Sequence, residues 1–495
     1  MKGLVPLRWH RVWAVTRWVA VAAALPLVWA CNSRTLEQPH PNPVRVVNTT
    51  FQATLNRKID LLFMVDNSAS MTPLQNKLLM QFPVFMNVLK MLPSGDGSGT
   101  GLPDIHVAVV SSDTGPGKFD LSDRNCAYLG DGGKFHSAPT GTCTATPLTG
   151  GQTFLAASMN QGVKNYNGDI SDAFTCIAAL GDKGCGFEGQ LKSVRWALDP
   201  LNVPDGNQEF LRPDAFLAVI LITNEDDCSV PDDSDLVDPT TDGVNLYGPL
   251  VSYRCNEFGH LCNINGALSP PPRTGALTNI QGCISNETAS GKLVRVADEV
   301  NFLKSLKTDP NQIFVAAITG PVTPYSIGPD PTQGGAQGVV HSCMQGGGEY
   351  ADPAVRIQQW VEAFGSHGLA ETICANTFAP SLMAIATELS KLLGPQCIGD
   401  NLVDLDPNTP GIQPQCQVTD QYLNDQNVLV PTVLQACANN GNTAPCWSLD
   451  VDQTKCNGPF LILNVKRPAG MLPNGLNTSV ACAQCIAGVP KAGCP

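Results

Sequence analysis

Four short apolar runs, Ile59–Val65, Ile105–Val110, Phe216–Ile222 and Ile313–Ile318, recur along a chain of 495 residues and constrain its fold more than any other feature. A strand with one wet face alternates apolar and polar side chains. A run that is apolar at nearly every position suits a strand covered on both faces, as in a parallel sheet between helical layers. The segments between these runs carry the 3.6-residue period of helices. Leu74, Leu78, Phe82, Phe85, Leu89 and Leu92 make one stripe, which Pro83 is expected to kink. Phe187, Leu191, Val194 and Leu198 make a second, and Leu293, Val296, Val300 and Leu303 a third. A fourth buries Ile357, Trp360, Val361 and Phe364 and starts at Asp352-Pro353, which reads as an N-cap followed by proline. A fifth carries Leu382, Ile385, Leu389 and Leu392. The expected fold class is α/β: a doubly wound, mainly parallel sheet flanked by helices, with right-handed crossovers.

Three stretches, 113–150, 225–290 and 320–350, are rich in Gly, Pro, Asp and Cys and read as long loops. After Cys397 the helical period disappears, and eight cysteines accompany a short apolar strand, Phe460–Val465. Residues 397–495 therefore read as a small disulfide-rich, β-containing C-terminal domain, following a main domain over 58–396.

The 19 cysteines indicate an oxidising compartment, because their spacings offer no zinc or redox framework. Cys482-x-x-Cys485 has no second Cys-x-x-Cys to complete a metal site and reads as disulfide. The N-terminus agrees. A basic, Trp-rich segment precedes an apolar stretch, Val19 to Ala30, too short to span a bilayer and suited to a signal peptide over 1–30. Ala30-Cys31 resembles a bacterial lipobox, which implies lipidation of Cys31 and a lipid anchor to the cell envelope, with the outer membrane favoured by Asn32; an ordinary secretory signal is the alternative. Residues 31–57, with Pro39, Pro41 and Pro43, form a tether. Without Cys31, the other cysteines fall into even blocks of ten (Cys126–Cys374) and eight (Cys397–Cys494), whose pairing the sequence leaves open. Lys plus Arg number 30 against 43 acids, a net −13, and four of the cations lie in the first 17 residues. A nucleic-acid partner is excluded on that balance.

The densest chemistry is Asp66-Asn67-Ser68-Ala69-Ser70, directly after the first apolar run. Ligands gather at the carboxyl ends of strands in open α/β sheets. The spacing Asp-x-Ser-x-Ser lets one turn aim a carboxylate and two hydroxyls at a single point, a hard oxygen set suited to Mg²⁺, with Mn²⁺ or Ca²⁺ as alternatives. Capping of the next helix is the competing use of these side chains. It is disfavoured because Thr72-Pro73-Leu74-Gln75 already reads as a capping box.

At LLFMVDNSASM the chain resembles the von Willebrand factor type A domain, over residues 58–396 with insertions. The resemblance implies a metal-ion-dependent adhesion site at Asp66, Ser68 and Ser70, with an open coordination position completed by an acidic residue of the partner. It also implies a threonine from a second loop and an aspartate after a later strand. Here Thr223-Asn224-Glu225-Asp226-Asp227 puts Asn224 at the aspartate position, with Asp226 or Asp227 available to restore the charge. The threonine is missing from Gly184-Cys185-Gly186-Phe187-Glu188, where Glu188 could supply the oxygen.

Eight acids between Glu225 and Asp242 suit either a solvated loop or calcium near Asp232, Asp233 and Asp235. Ser112-Asp113-Thr114-Gly115 lacks the second copy that an aspartic protease needs and reads as a strand-ending turn. Hydrolase and nucleotide signatures are missing, and residues 397–495 hold no histidine. The expected function is non-enzymatic: an envelope lipoprotein binding an extracellular or periplasmic protein or glycan through a carboxylate on the metal. The alternatives are a disulfide-hardened structural protein with a purely stabilising metal and, behind it, a secreted hydrolase.

Overall fold

Each apolar run is a strand in the computed structural model, which describes residues 44–52, 58–91, 102–138, 143, 148–158, 163–346, 348–393, 397–398, 402–409, 412–423, 429–451, 461–466, 477–485 and 494. The signal peptide, Cys31 and most of the tether lie outside the described residues. Among the described residues, no helix is long and apolar enough to cross a membrane.

The central sheet has seven strands: β1 (Lys58–Val65), β2 (Asp104–Ser111), β3 (Leu155–Ser158), β4 (Val163–Lys164), β5 (Phe216–Ile222), β6 (Ile313–Thr319) and β7 (Gly368–Thr372). Their spatial order is β7-β6-β5-β1-β2-β3-β4. The first five in that order are parallel, and β3 and β4 add an antiparallel edge. The protein is thus a mixed α/β protein with a largely parallel central sheet.

Both faces of the sheet are covered, which is why its strands lack alternation. Ile59, Leu61, Phe63 and Val65 pack with α1 (Thr72–Lys90), α2 (Ile170–Ala178) and α6 (Ala379–Leu393). Leu62 and Met64 turn the other way, toward α3 (Gln190–Leu198), α4 (Val296–Ser305) and α5 (Val355–Glu362). Phe63 anchors the first layer with ring centroids 5.5 Å from Phe82, 5.7 Å from Phe85 and 4.9 Å from Phe174. Its removal would leave a large cavity, worth about 3–5 kcal/mol. Helix α1 runs through Pro83 as one element.

Two expected helix starts form differently. The Thr72 capping box is not made: a 3₁₀ turn, Ala69–Met71, runs straight into α1, whose N-cap is Met71. Gln75 Nε2 instead donates to the Asp66 carbonyl at 2.7 Å and to that of Gly181 at 2.9 Å. At α5 the cap is not Asp352, whose Oδ1 sits 2.6 Å from His341 Nδ1. Asp226, 130 residues upstream, accepts from the Arg356 amide (2.9 Å) and the Ile357 amide (3.1 Å). Asp352-Pro353 precedes the helix by too much: Val355 is its first residue.

The stretches read as loops also hold regular structure. Residues 260–340 build a five-stranded sheet, ordered Ala336–Val340, Tyr325–Asp330, Leu277–Ser285, His260–Ile264, Ala267–Ser269. Leu277–Ser285 is mostly exposed and its pairings are interrupted by register shifts, so no clean two-residue period marks it. Disulfides stitch these insertions: Cys126–Cys185, Cys143–Cys176, Cys228–Cys255, Cys262–Cys283 and Cys343–Cys374. All ten cysteines of the first block therefore pair among themselves.

Later in the chain, Cys416–Leu423, Leu429–Ala436, Cys446–Val451 and Leu461–Lys466 are successive neighbours in a further β-sheet, with Cys437–Cys446 joining the end of the second of these strands to the start of the third. A separate small unit holds residues 402–409, 412–416 and 481–485, closed by Cys416–Cys482, with Cys485–Cys494 extending it. Cys482 and Cys485 are thus disulfide members, and Cys456 lies outside the described residues.

Candidate metal centre

Register brings the site together. Val65 at the end of β1 pairs with Ser111 on β2 and with Ile222 on β5. The residues that follow, Asp66, Ser112 and Thr223, must then emerge side by side at the carboxyl edge of the sheet. Asp66 is fully buried there. Its Oδ1 accepts from the Ser68 amide at 2.8 Å and the Ser112 hydroxyl at 3.2 Å, and its Oδ2 from the Thr223 hydroxyl at 2.7 Å. The first of these bonds bends the chain so that Ser68 and Ser70 point the same way, with hydroxyls 3.0 Å apart. Ser70 Oγ donates to Asn224 Oδ1 at 3.1 Å. Asp66, Ser68, Ser70 and Asn224 thus form one connected cluster.

Glu188 joins it from the segment before α3. It is 1% exposed and no donor reaches its Oε1. The preceding loop approaches the Asp66 turn through Gly184, whose amide donates to the Asn67 carbonyl at 2.8 Å. A Cβ at Gly184 would sit 2.1 Å from Asn67 Oδ1, so a larger residue there would have to push the Asn67 side chain aside.

Asp226 and Asp227 stand outside the cluster. Asp226 caps α5 and pairs with His260 Nε2 at 2.7 Å. Asp227 caps α3 through the Leu191 amide at 3.0 Å and pairs with Arg356 Nη2 at 2.9 Å. Glu225, passed over in favour of those two, is the acid that lies in the site. Its carboxylate contacts Ser70 and Glu188, and its main-chain N and O both lie 3.2 Å from Thr223 Oγ1. Tyr350 closes another side, with its carbonyl accepting from Asn224 Nδ2 at 3.1 Å. Position alone, three residues past the end of β5, is the sequence signal for Glu225.

Electrostatics mark the cluster as anion-rich. Among the described residues, no Lys, Arg or His is ion-paired with Asp66, Glu188 or Glu225. Burial raises the Asp66 carboxyl above its ordinary range despite its hydrogen bonds. Burial, then Glu225 and Asp66, push Glu188 well up. Burial, then Asp352 and Asp66, push Glu225 up to about 8. Three neighbouring carboxyls without a counter-charge are poised either to hold protons or to accept a cation.

The donor set fits a hard dication: carboxylate and hydroxyl oxygens at one strand end, with a buried carboxyl oxygen lacking a donor. No three His, Cys, Asp or Glu side chains among the described residues are arranged as a metal site, so a cation here would need the serine hydroxyls as ligands. The alternative calcium acids are also engaged or separated: Asp232 pairs with Lys192 at 2.6 Å and Asp235 approaches Lys292 at 4.0 Å. Asp113 Oδ1 accepts from the Gly115 amide at 3.0 Å in a strand-ending turn.

No protein-family model and no curated protein matches the sequence. Among solved structures, the pilus adhesin RrgA of Streptococcus pneumoniae is similar at 9% identity and TM-score 0.28, over 92% of this chain and 60% of its own. The human COPII-coat protein Sec24c is similar at 8% identity and TM-score 0.26, over 91% of this chain and 43% of its own. The chain spans less than two thirds of either, and similarity at that level carries no argument about function.

Proposed function

We propose that the chain is a cell-envelope lipoprotein, anchored at Cys31, whose doubly wound von Willebrand factor type A-like domain binds a protein or glycan through a divalent cation. The observation that carries this reading is the convergence of Asp66, Ser68 and Ser70 at the carboxyl edge of a parallel sheet. Asp66, Ser68 and Ser70 would hold Mg²⁺ (or Mn²⁺ or Ca²⁺), with Asn224 and Glu188 supporting it. When bound, the cation supplies a fixed positive charge able to attract a partner's carboxylate. Thr223 and Ser112 hold the Asp66 carboxylate in place by donating to its two oxygens, and Gln75 fixes the turn's backbone. The disulfide-laced insertions fit an oxidising compartment and a shaped partner surface.

One observation favours a second reading, a purely stabilising cation: Glu225 brings to the site an acid that offsets the loss at Asn224. Calorimetric titration of Mg²⁺, Mn²⁺ and Ca²⁺ into the oxidised protein tests both, beside Asp66→Ala. Saturable binding lost in a folded Asp66→Ala variant is expected. Unchanged binding in that variant would defeat the assignment. Stabilisation by metal without metal-dependent capture of an envelope protein or glycan would favour the second reading.

A further inference from the structure

Behind the strand ends lies a cavity of about 30 Å³ whose lining includes Glu188, Glu225, Asp226, Asp227, His260 and Asp352. Three of its five carboxylates are matched by donors: Asp227 by Arg356, Asp226 by His260 and the α5 amides, and Asp352 by His341. Glu188 and Glu225 have no such counter-charge. Glu188 is buried against this cavity with Oε1 beyond the reach of any donor. Glu225 is fixed from behind: its amide donates to the Thr223 hydroxyl, which itself donates to Asp66 Oδ2. Its carboxylate is therefore held beside Ser70, within one hydrogen-bonded step of the Asp66 turn.

We propose that Glu225 is an internal ligand of the cation held by Asp66, Ser68 and Ser70, occupying the coordination position that a partner's carboxylate would otherwise take. The inference rests on the metal-site reading above and adds its regulation. The charges balance: a dication is neutralised by the Asp66 and Glu225 carboxylates. A neutralised cation attracts an external carboxylate weakly, so a partner must displace Glu225 to reach it. Glu225 is suited to that exchange because it is partly exposed, whereas Asp66 and Glu188 are buried. Asp226 and Asp227 cannot serve in its place, since moving them would uncap α5 and α3.

The test uses Mn²⁺ as the probe, with the full oxidised chain, and reads the water-proton relaxation rate per bound ion. Glu225→Ala and the isosteric Glu225→Gln are compared with wild type after circular dichroism confirms that they are folded. The expected result is a rise in relaxivity in Glu225→Ala corresponding to at least one added water, with a smaller rise in Glu225→Gln. Added acetate should then lower the relaxivity of Glu225→Ala and leave wild type unchanged. Equal relaxivity in all three proteins, with saturable Mn²⁺ binding, overturns the internal ligand and leaves the metal site standing. A wild-type chain that binds no Mn²⁺ overturns both.

Discussion

Cation affinity should depend on pH in a direction fixed by Glu225. Burial, then Asp352 and Asp66, raise this carboxyl from an ordinary 4.5 to about 8. Between those values the cation-free fold holds a proton that the unfolded chain has released. Glu225 therefore contributes stability that is complete below about pH 4.5 and is lost as pH rises through about 8. Metal binding reverses the preference, because a coordinating carboxylate must give up its proton. With one proton released per cation, the apparent affinity should rise about tenfold per pH unit below pH 8. From pH 6 to pH 8 that amounts to about 50-fold, or about 2.3 kcal/mol, since the rise already bends over at pH 8 and levels off above. Calorimetric titration of Mn²⁺ at pH 6, 7 and 8, in buffers of different ionisation enthalpy, measures both the affinity and the protons released. A slope steeper than tenfold per unit would bring Glu188 into the coordination as well. Affinity that stays flat from pH 6 to 8, with no proton transfer, refutes the reasoning.

Two further predictions concern what holds the site in place. Arg356 is 1% exposed and pairs with buried Asp227 while also donating to Ser285 Oγ at 2.7 Å. Arg356→Met leaves that aspartate without its counter-charge and should cost about 3–5 kcal/mol in denaturant unfolding; a loss below about 1 kcal/mol would mean that the pair does not hold α5 to the strand-end loop. At the opposite edge, burial and then Arg212 lower the His106 imidazole from 6.5 to about 4. It contributes stability that is complete above about pH 6.5 and lost as pH falls toward 4, up to about 3 kcal/mol. His106→Phe should therefore narrow the stability difference between pH 7 and pH 4.5, and an unchanged difference would contradict this.

The central strands were legible because burial on both faces erases alternation, and the four runs give β1, β2, β5 and β6 to within a residue or two. Helix α2 and strand β7 were not, since each is short and their burial depends on neighbours distant in sequence. The same dependence hid both caps. Asp226 lies 130 residues from the α5 amides it accepts from, a separation no local spacing rule can span. Asp352, next to a proline and before an apolar stripe, satisfies such a rule and is bonded to His341 instead. Disulfide pairing was likewise unreadable: the two-block count limits the partners, but distances in the folded chain choose among them.

The candidate metal site shows the same division at the scale of single residues. Asp66, Ser68 and Ser70 could be placed together because one turn contains all three and its first hydrogen bond is local. Which acid completes the set could not, because Glu225, Asp226 and Asp227 are equivalent in sequence and differ only in what each faces. The Thr223 hydroxyl holds the Glu225 backbone beside Asp66, while two helix N-termini claim the next two carboxylates. Helix amides and the side chains of His260 and Arg356 already engage those two, so neither is free to approach a cation. Glu225 has no such partner, and its charge is satisfied only by a proton or a metal. An acid one position after Asn224 thereby returns to the site the charge that Asn224 omits, but on a partly exposed side chain. On the proposed reading that difference matters: a permanent aspartate would only hold the cation, whereas a displaceable glutamate would also decide when a partner reaches it.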